Sequence, residues 1–336
     1  MIPLTRIARI LASAAITLFG LLVVTFLIAR VVPIDPVLSI LGDRASPSSY
    51  AEVRRELGLD QPLYVQFYRY VRSVAEGDFG RSALTHDPVT EDIGRYFPAT
   101  IELATTATLI GIFLGVPAGV WAAARRGRLT DQILRLLGLF GYSVPVFWLG
   151  MMALVLFYAD LGWAAGPGRI DTAFEDFVPH VTGFVMIDAA LAGDGEAFRS
   201  ALSHLVLPAL VLGYFSFAYI SRMTRSFMLQ ELGQEYIVAA RAKGLGERRV
   251  LWVHAFRNVR LPLITVIALA YAGLLEGSVL TETVFSWPGI GQYITNSLLS
   301  IDMNAVLGGT LVIGAMFIAV NLIADLLYRA LDPRAR

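Results

Sequence analysis

The sequence contains no cysteine, one lysine (Lys243) and few charges, with only 16% of its 336 residues being Asp, Glu, Lys or Arg. Without cysteine there can be no disulfide, thiolate nucleophile, iron–sulfur ligation or cysteine-bound zinc. No G-x4-G-K-[ST] run occurs, so the chain cannot cradle nucleotide phosphates in the P-loop manner. His86, His180, His204 and His254 are scattered and none stands in H-E-x-x-H, which removes the zincin type of membrane protease. The formal charge is zero, 27 basic residues against 27 acidic, so no overall field attracts nucleic acid. Asp78-Phe79-Gly80 spells a kinase triplet, but without a catalytic loop or a β3 lysine it carries no chemistry.

Apolar residues take up the space: 56% of the chain is hydrophobic and the mean hydropathy is +0.63. A membrane is the natural solvent for such a chain. A bilayer core needs about 20 apolar helical residues, because lipid cannot satisfy an open backbone. Uncharged runs cover 10–29, 103–124, 136–159, 200–221 and 303–324, and a sixth run, 261–281, carries one acid, Glu276. The expectation is an all-α integral membrane protein with six transmembrane helices, the first being a retained span rather than a cleaved signal.

Orientation follows from the short loops. Arg125, Arg126 and Arg128 follow the second run, and eight Lys/Arg lie within 222–260, whereas 160–199 has two basic residues against seven acids. By the positive-inside rule both termini face the cytoplasm, with Arg329, Arg334 and Arg336 marking the far end. The chain then divides into a tail and first span (1–32), an outer segment (33–98) and a core (99–336) holding an outer loop (160–199) and an inner loop (223–262). Ser46-Pro47 and Gln61-Pro62 predict two short outer helices. Gly111, Gly115 and Gly119 line one face of the second span and predict close helix packing, within this chain rather than between subunits. Pro117 and Pro145 lie inside spans and can kink them.

The inner loop reads QEYIVAARAKGLGERRVLWVHAFRNVRLP over 234–262. Good helix formers run from Tyr236 to Lys243 and Gly244 supplies a stop. Ala239, Ala240 and Ala242 leave a thin surface suited to entering a groove on a soluble partner, with Arg241 and Lys243 adding positive charge. Glu276, well inside a span, is costly in lipid and normally faces a cavity or a partner. Glu282 lies nearer the outer interface. Pro288, Gly289 and Gly291 break the chain after the fifth run, and 293–299 is apolar enough to dip back as outer-gate structure.

These residues resemble a family. EYIVAARAKGL over 235–245, with His254 and RNVRLP over 257–262, is similar to the EAA loop of ABC importer permeases in its peptide-transporter form, with Val238 where the wider family has glutamate. VPIDPV (32–37), ELGLDQPLYVQFYRYV (56–71), GDFGRS (77–82) and LTETVFSWPGIGQYI (280–294) extend the resemblance over nearly the whole chain. TGFVMIDAALAGD (182–194) resembles the dipeptide permeases in particular. The resemblance implies a type I ABC importer permease fold and import of dipeptides or short peptides. Glutathione, nickel complexes, and haem or its precursors are the alternative substrates. It gives the docking role to Glu235, Ala239, Ala240, Arg241, Lys243 and Gly244, and a pathway or gate role to Glu276, Glu282, Trp287, Pro288 and Gly289.

The implied partners are a second permease, two ATPase subunits that bind ATP and magnesium, and a periplasmic or lipid-anchored peptide-binding protein. This chain then holds no cofactor or metal, catalyses no reaction and resides in the bacterial inner membrane. A secondary carrier should show paired broken helices or charge relays, and a membrane hydrolase needs a nucleophile or metal cluster, so both fit the residues less well.

Overall fold

The computed structural model describes residues 4–31, 37, 46–56 and 58–331. Ile34, Arg334, Arg336 and the side chains of Arg6 and Arg9 lie outside the described residues. Helices follow one another as α1 (Leu4–Val31), α2 (Pro47–Glu56), α3 (Leu63–Ala75), α4 (Val89–Ala124), α5 (Leu129–Ser143) and α6 (Val146–Ala153), which runs on as a π-helical turn to Asp160. Then come α7 (Thr172–Glu175), α8 (Val185–Ala192), α9 (Gly195–Leu232), α10 (Glu235–Ala242) and α11 (Glu247–Arg249). A π-helical stretch, Val250–Ala255, joins α11 to α12 (Phe256–Val284), and α13 (Ile290–Leu299) and α14 (Met303–Leu331) complete the chain. Among the described residues there is no strand, only an isolated bridge between Arg81 and Pro88.

Among the described residues four helical units are long and apolar enough to cross a bilayer: α4, α9, Glu247–Val284 and α14. α5 and α6 make a fifth only as a broken pair, bent by 101°. α1 carries a shorter described apolar stretch, Ala12–Ile28. The span expected over 136–159, with Pro145 able to kink it, is thus two helices that meet at a sharp bend. The break has a backbone cause: Val144, before a proline, is extended at φ −94° and ψ 127°, and Pro145 has no N–H to continue the ladder. Pro117, by contrast, lies within the unbroken α4.

The chain divides into two compact units, one of Ala99–Trp287 with Ala319–Arg336, the other of Ile2–Pro98 with Pro288–Ile318. In the first unit the glycine stripe of α4 lies against α9. A Cβ added at Gly111 would sit 2.1 Å from Ser216 Oγ, and one at Gly119 only 2.6 Å from the Ser221 carbonyl oxygen. Only glycine permits that approach, so the stripe is an internal packing surface. Val116, Ile220, Leu263 and Val266 then bring α4, α9 and α12 into one apolar core. The 160–199 segment has a small core of its own in Val178, Ala189 and Ala197. Asp188 organises it, accepting from Thr182 N at 2.9 Å, Thr182 Oγ1 at 2.7 Å and Gly183 N at 3.0 Å. Burial works to raise that carboxyl, yet the hydrogen bonds outweigh it and hold it below the usual range. Asp194 caps α9 by accepting from Glu196 N and Ala197 N.

In the second unit, α2 and α3 form where the Ser-Pro and Gln-Pro signals place them, and Ser46 Oγ accepts from Ser49 N at 3.1 Å. α3 lies along α1, with Thr25 Oγ1 3.0 Å from Tyr70 OH and the Phe26 and Phe67 rings edge to face at 5.2 Å. α13 packs Ile290 and Tyr293 on Val89 and Ile93 of α4. Tyr293 OH donates to Asp92 at 3.0 Å, and Ser82 Oγ donates to Asp302 at 2.6 Å.

Candidate functional site

Eight residues form α10, too few to hold a helix alone in water, so its stability comes from what it sits on. Ile237 and Ala240, one turn apart, point inward and join Val120, Ala123, Met228, Val250, Ala255 and Val259 in a buried cluster. That seating leaves Glu235, Ala239, Arg241, Ala242 and Lys243 exposed, beside Val238 at 61% exposure. Of the six residues assigned to docking, Ala240 alone faces the core.

The end of α10 is a Schellman turn. Gly244 takes φ +79°, its N–H donates to Arg241 O at 2.9 Å, and Leu245 N donates to Ala240 O at 3.3 Å. Leu245 then packs against the same cluster as Ala240. Gly244 has open space around it, so glycine is needed there for its backbone, not for room. Two polar clamps hold the helix laterally. Tyr236 OH donates to Glu231, while Asn258 Nδ2 donates to Glu231 at 3.1 Å and to Tyr236 OH at 3.0 Å, tying α9, α10 and α12 together. Burial, reinforced by Glu231, pushes the Tyr236 phenol up to about 12. Arg241 pairs with Glu247 at 2.8 Å in solvent, an arrangement worth about 0.2–1 kcal/mol. Lys243 makes no ion pair among the described residues.

The far end of α12 is built the other way. Glu282 is 0% exposed; its Oε1 accepts from Thr100 Oγ1 at 2.7 Å and from Ser278 Oγ at 3.0 Å. Trp287, 1% exposed, donates its indole N–H to Ala99 O at 2.9 Å and its backbone N–H to Glu282 O at 2.8 Å. The Arg169 guanidinium lies 5.8 Å from the Trp287 ring centroid and binds Glu102 at 2.6 Å and Gly183 O at 2.9 Å. Gly168 N also donates to Phe285 O at 2.8 Å, so the 160–199 segment is fastened to the end of α12. Glu276 lies exposed on α12 with no hydrogen bond or ion pair among the described residues. In the second unit, Gly289 is the N-cap of α13 and Pro288 precedes it.

Sequence reasoning missed the buried pairs Glu102–Arg169 and Asp131–Arg225, the latter at 2.6 Å with Asp131 only 1% exposed. Each has a sequence cue: Glu102 stands immediately before an uncharged run, and Arg225 shortly after one.

Among the described residues no group of three or more His, Asp or Glu side chains is placed to hold a metal ion. Comparison with known proteins agrees with a transport role. The chain matches the family described as binding-protein-dependent transport system inner membrane component over residues 115–336, and its N-terminal companion over 4–104. It is 45% identical to the probable D,D-dipeptide transport system permease protein DdpB of Escherichia coli K12, covering 94% of this chain and 92% of that one. It is 42% identical to the di/tripeptide transport system permease protein DppB of Pseudomonas aeruginosa, covering 99% of both. In fold it is similar to a chain of the inward-facing MetNI methionine ABC transporter, with a TM-score of 0.50 at 16% identity over 70% of this chain and 93% of that one. The chain belongs to the family of inner membrane components of binding-protein-dependent transport systems, as a DppB-like permease of the ABC importer fold whose ATPase and substrate-binding parts are separate subunits.

Proposed function

We propose that this permease forms one half of the membrane pathway of an importer for dipeptides or short peptides, and that α10 is the helix through which partner ATPases drive it. The carrying observation is the construction of α10: anchored by Ile237 and Ala240, clamped through Tyr236, and presenting Val238, Ala239, Arg241, Ala242 and Lys243 outward. A ridge of small and apolar side chains loses little entropy on docking. Force applied to it passes to α9 and α12 through Glu231 and Asn258. The relatives named for dipeptides and di/tripeptides supply the substrate class. A second permease completes the pathway, ATP and magnesium reside on two ATPase subunits, and a binding protein delivers peptide at the outer face. Both termini and α10 are cytoplasmic, the side favoured by Arg125, Arg126, Arg128 and the basic inner loop. Glu276, on its exposed face, meets the peptide or the second permease, while Glu282 and Trp287 serve as a fixed closure near the outer end.

The test is ATP-dependent dipeptide uptake into vesicles holding the complete transporter, with wild type compared to Ala242→Glu. Ala242 is exposed and helical, so the charge leaves the fold intact. ATPase copurification and uptake should both fall at least tenfold; the coupling role is lost if the variant keeps both. Peptide transport by the lone purified chain would make it a carrier instead. Gly244→Glu is a weaker probe, because the left-handed backbone penalises any side chain there.

A further inference from the structure

The first unit holds a recess of about 550 Å³ between α4, α5 and α9, lined by Arg135, Arg222 and Arg225 together with Tyr142, Leu136 and Leu139. Its charges are unevenly compensated. Arg225 is neutralised by Asp131 at 2.6 and 2.8 Å. Arg222 has no carboxylate; its guanidinium lies 4.4 Å over the Tyr142 ring, bonds Tyr142 OH at 3.1 Å and leans toward Tyr219 at 5.9 Å. Arg135 makes no ion pair among the described residues. Three guanidinium groups thus line a shared recess beside one carboxylate, Asp131, which attracts Arg135 as well as Arg225, so positive charge is in excess, and Arg222 is already braced by aromatic rings so that little freedom remains to be lost on binding.

The depth of the recess is informative. Arg222 and Arg225 are the first charges after the uncharged run 200–221, which puts them at the headgroup level of whichever leaflet that end meets. Leu136 and Leu139, on the α5 wall, are 64% and 63% exposed. An anion whose charge sits on the arginines while a hydrocarbon tail runs along α5 satisfies both features. A free peptide carboxylate satisfies only the first, since its polar backbone gains nothing from exposed leucines.

We propose that this recess is a binding site for the phosphate of an anionic phospholipid of the inner leaflet, held by Arg135 and Arg222 with its acyl chain on Leu136 and Leu139. The site rests on the orientation proposed above. Guanidinium is suited to the task because it meets phosphate oxygens with paired N–H donors, and basic pockets between spans on the cytoplasmic side are where such headgroups are held. A lipid seated there would brace α5, the first half of the broken span, against α9.

The experiment uses the assembled transporter, purified and exchanged into vesicles of phosphatidylcholine with or without phosphatidylglycerol, then examined by native mass spectrometry and thermal unfolding. Wild type should retain phosphatidylglycerol in preference to phosphatidylcholine and unfold at higher temperature in its presence. Arg135→Gln with Arg222→Gln should lose retention by about tenfold or more, Arg135→Lys with Arg222→Lys should restore part of it, and Arg126→Gln, outside the recess, should change nothing. Equal retention in the glutamine double variant overturns the site. Absence of any phosphatidylglycerol preference in wild type overturns it too, without reliance on variants. Displacement of bound lipid by millimolar dipeptide or by inorganic phosphate overturns the lipid assignment and makes the recess a peptide-carboxylate or free-anion subsite. Copurification of the ATPase, followed in the same samples, reports separately on the coupling role of α10.

Discussion

At one end of α12, Glu282 and Trp287 are enclosed and hydrogen-bonded to neighbours within the chain; at the other, α10 turns only Ile237 and Ala240 inward and leaves the rest of its surface open. Both segments are short and border the same long helix. The difference lies in what each can exchange with its surroundings. The Trp287 end makes its polar contacts within the chain, whereas the outward face of α10 leaves Val238, Ala239, Arg241, Ala242 and Lys243 in solvent. The same contrast separates the two acids of α12. Glu282 has Thr100 and Ser278 as donors, and Glu276, six residues earlier, has none among the described residues.

Four substitutions sharpen or break this contrast. Trp287→Ala has the largest effect, because it empties an enclosed volume and removes the indole donor to Ala99 O; thermal unfolding in detergent should register a loss of about 3–5 kcal/mol. An unchanged melting temperature would mean the closure is not built as described. Next, Glu282→Leu should cost about 1–3 kcal/mol by leaving Thr100 and Ser278 without their acceptor. Glu276→Leu should shift stability by less than about 0.5 kcal/mol. If the two leucine variants unfold alike, the distinction between the acids fails. Gly244→Ala falls between the two leucine variants: there is space for the methyl, so only the left-handed backbone resists, at about 1 kcal/mol. A larger loss, measured by chemical unfolding, would indicate a contact that the open surroundings of Gly244 do not provide.

Much of this architecture could be read from residue patterns whose cause is local. The apolar runs 103–124, 200–221, 261–281 and 303–324 located four long helices, Ser46-Pro47 and Gln61-Pro62 located α2 and α3, and Gly244 located the end of α10. Other features depend on distant residues, and local cues mark at most one partner of each. Pro117, Pro208 and Pro262 all lie inside helices while Pro145 ends one, so the presence of proline cannot separate a continuous span from a 101° break. Which alanine of α10 faces inward depends on Val250 and Ala255, beyond the helix. The pairs Arg169–Glu102 and Arg225–Asp131 join residues 67 and 94 positions apart, and no window along the sequence registers them. Glu276 drew notice as a carboxylate within a span, yet Glu282, nearer the end of the same helix, is the one the fold encloses.

The glycine contact between α4 and α9 restricts how this protein can move. With backbone atoms of Ser221 only 2.6 Å from where a Cβ on Gly119 would stand, neither helix can slip along the other by a residue without steric collision. The two therefore travel as one strut. The joint at Val144-Pro145, bent by 101°, lacks the hydrogen bond that a residue other than proline would donate there, so fewer backbone bonds tie α5 to α6 than tie successive turns within either helix.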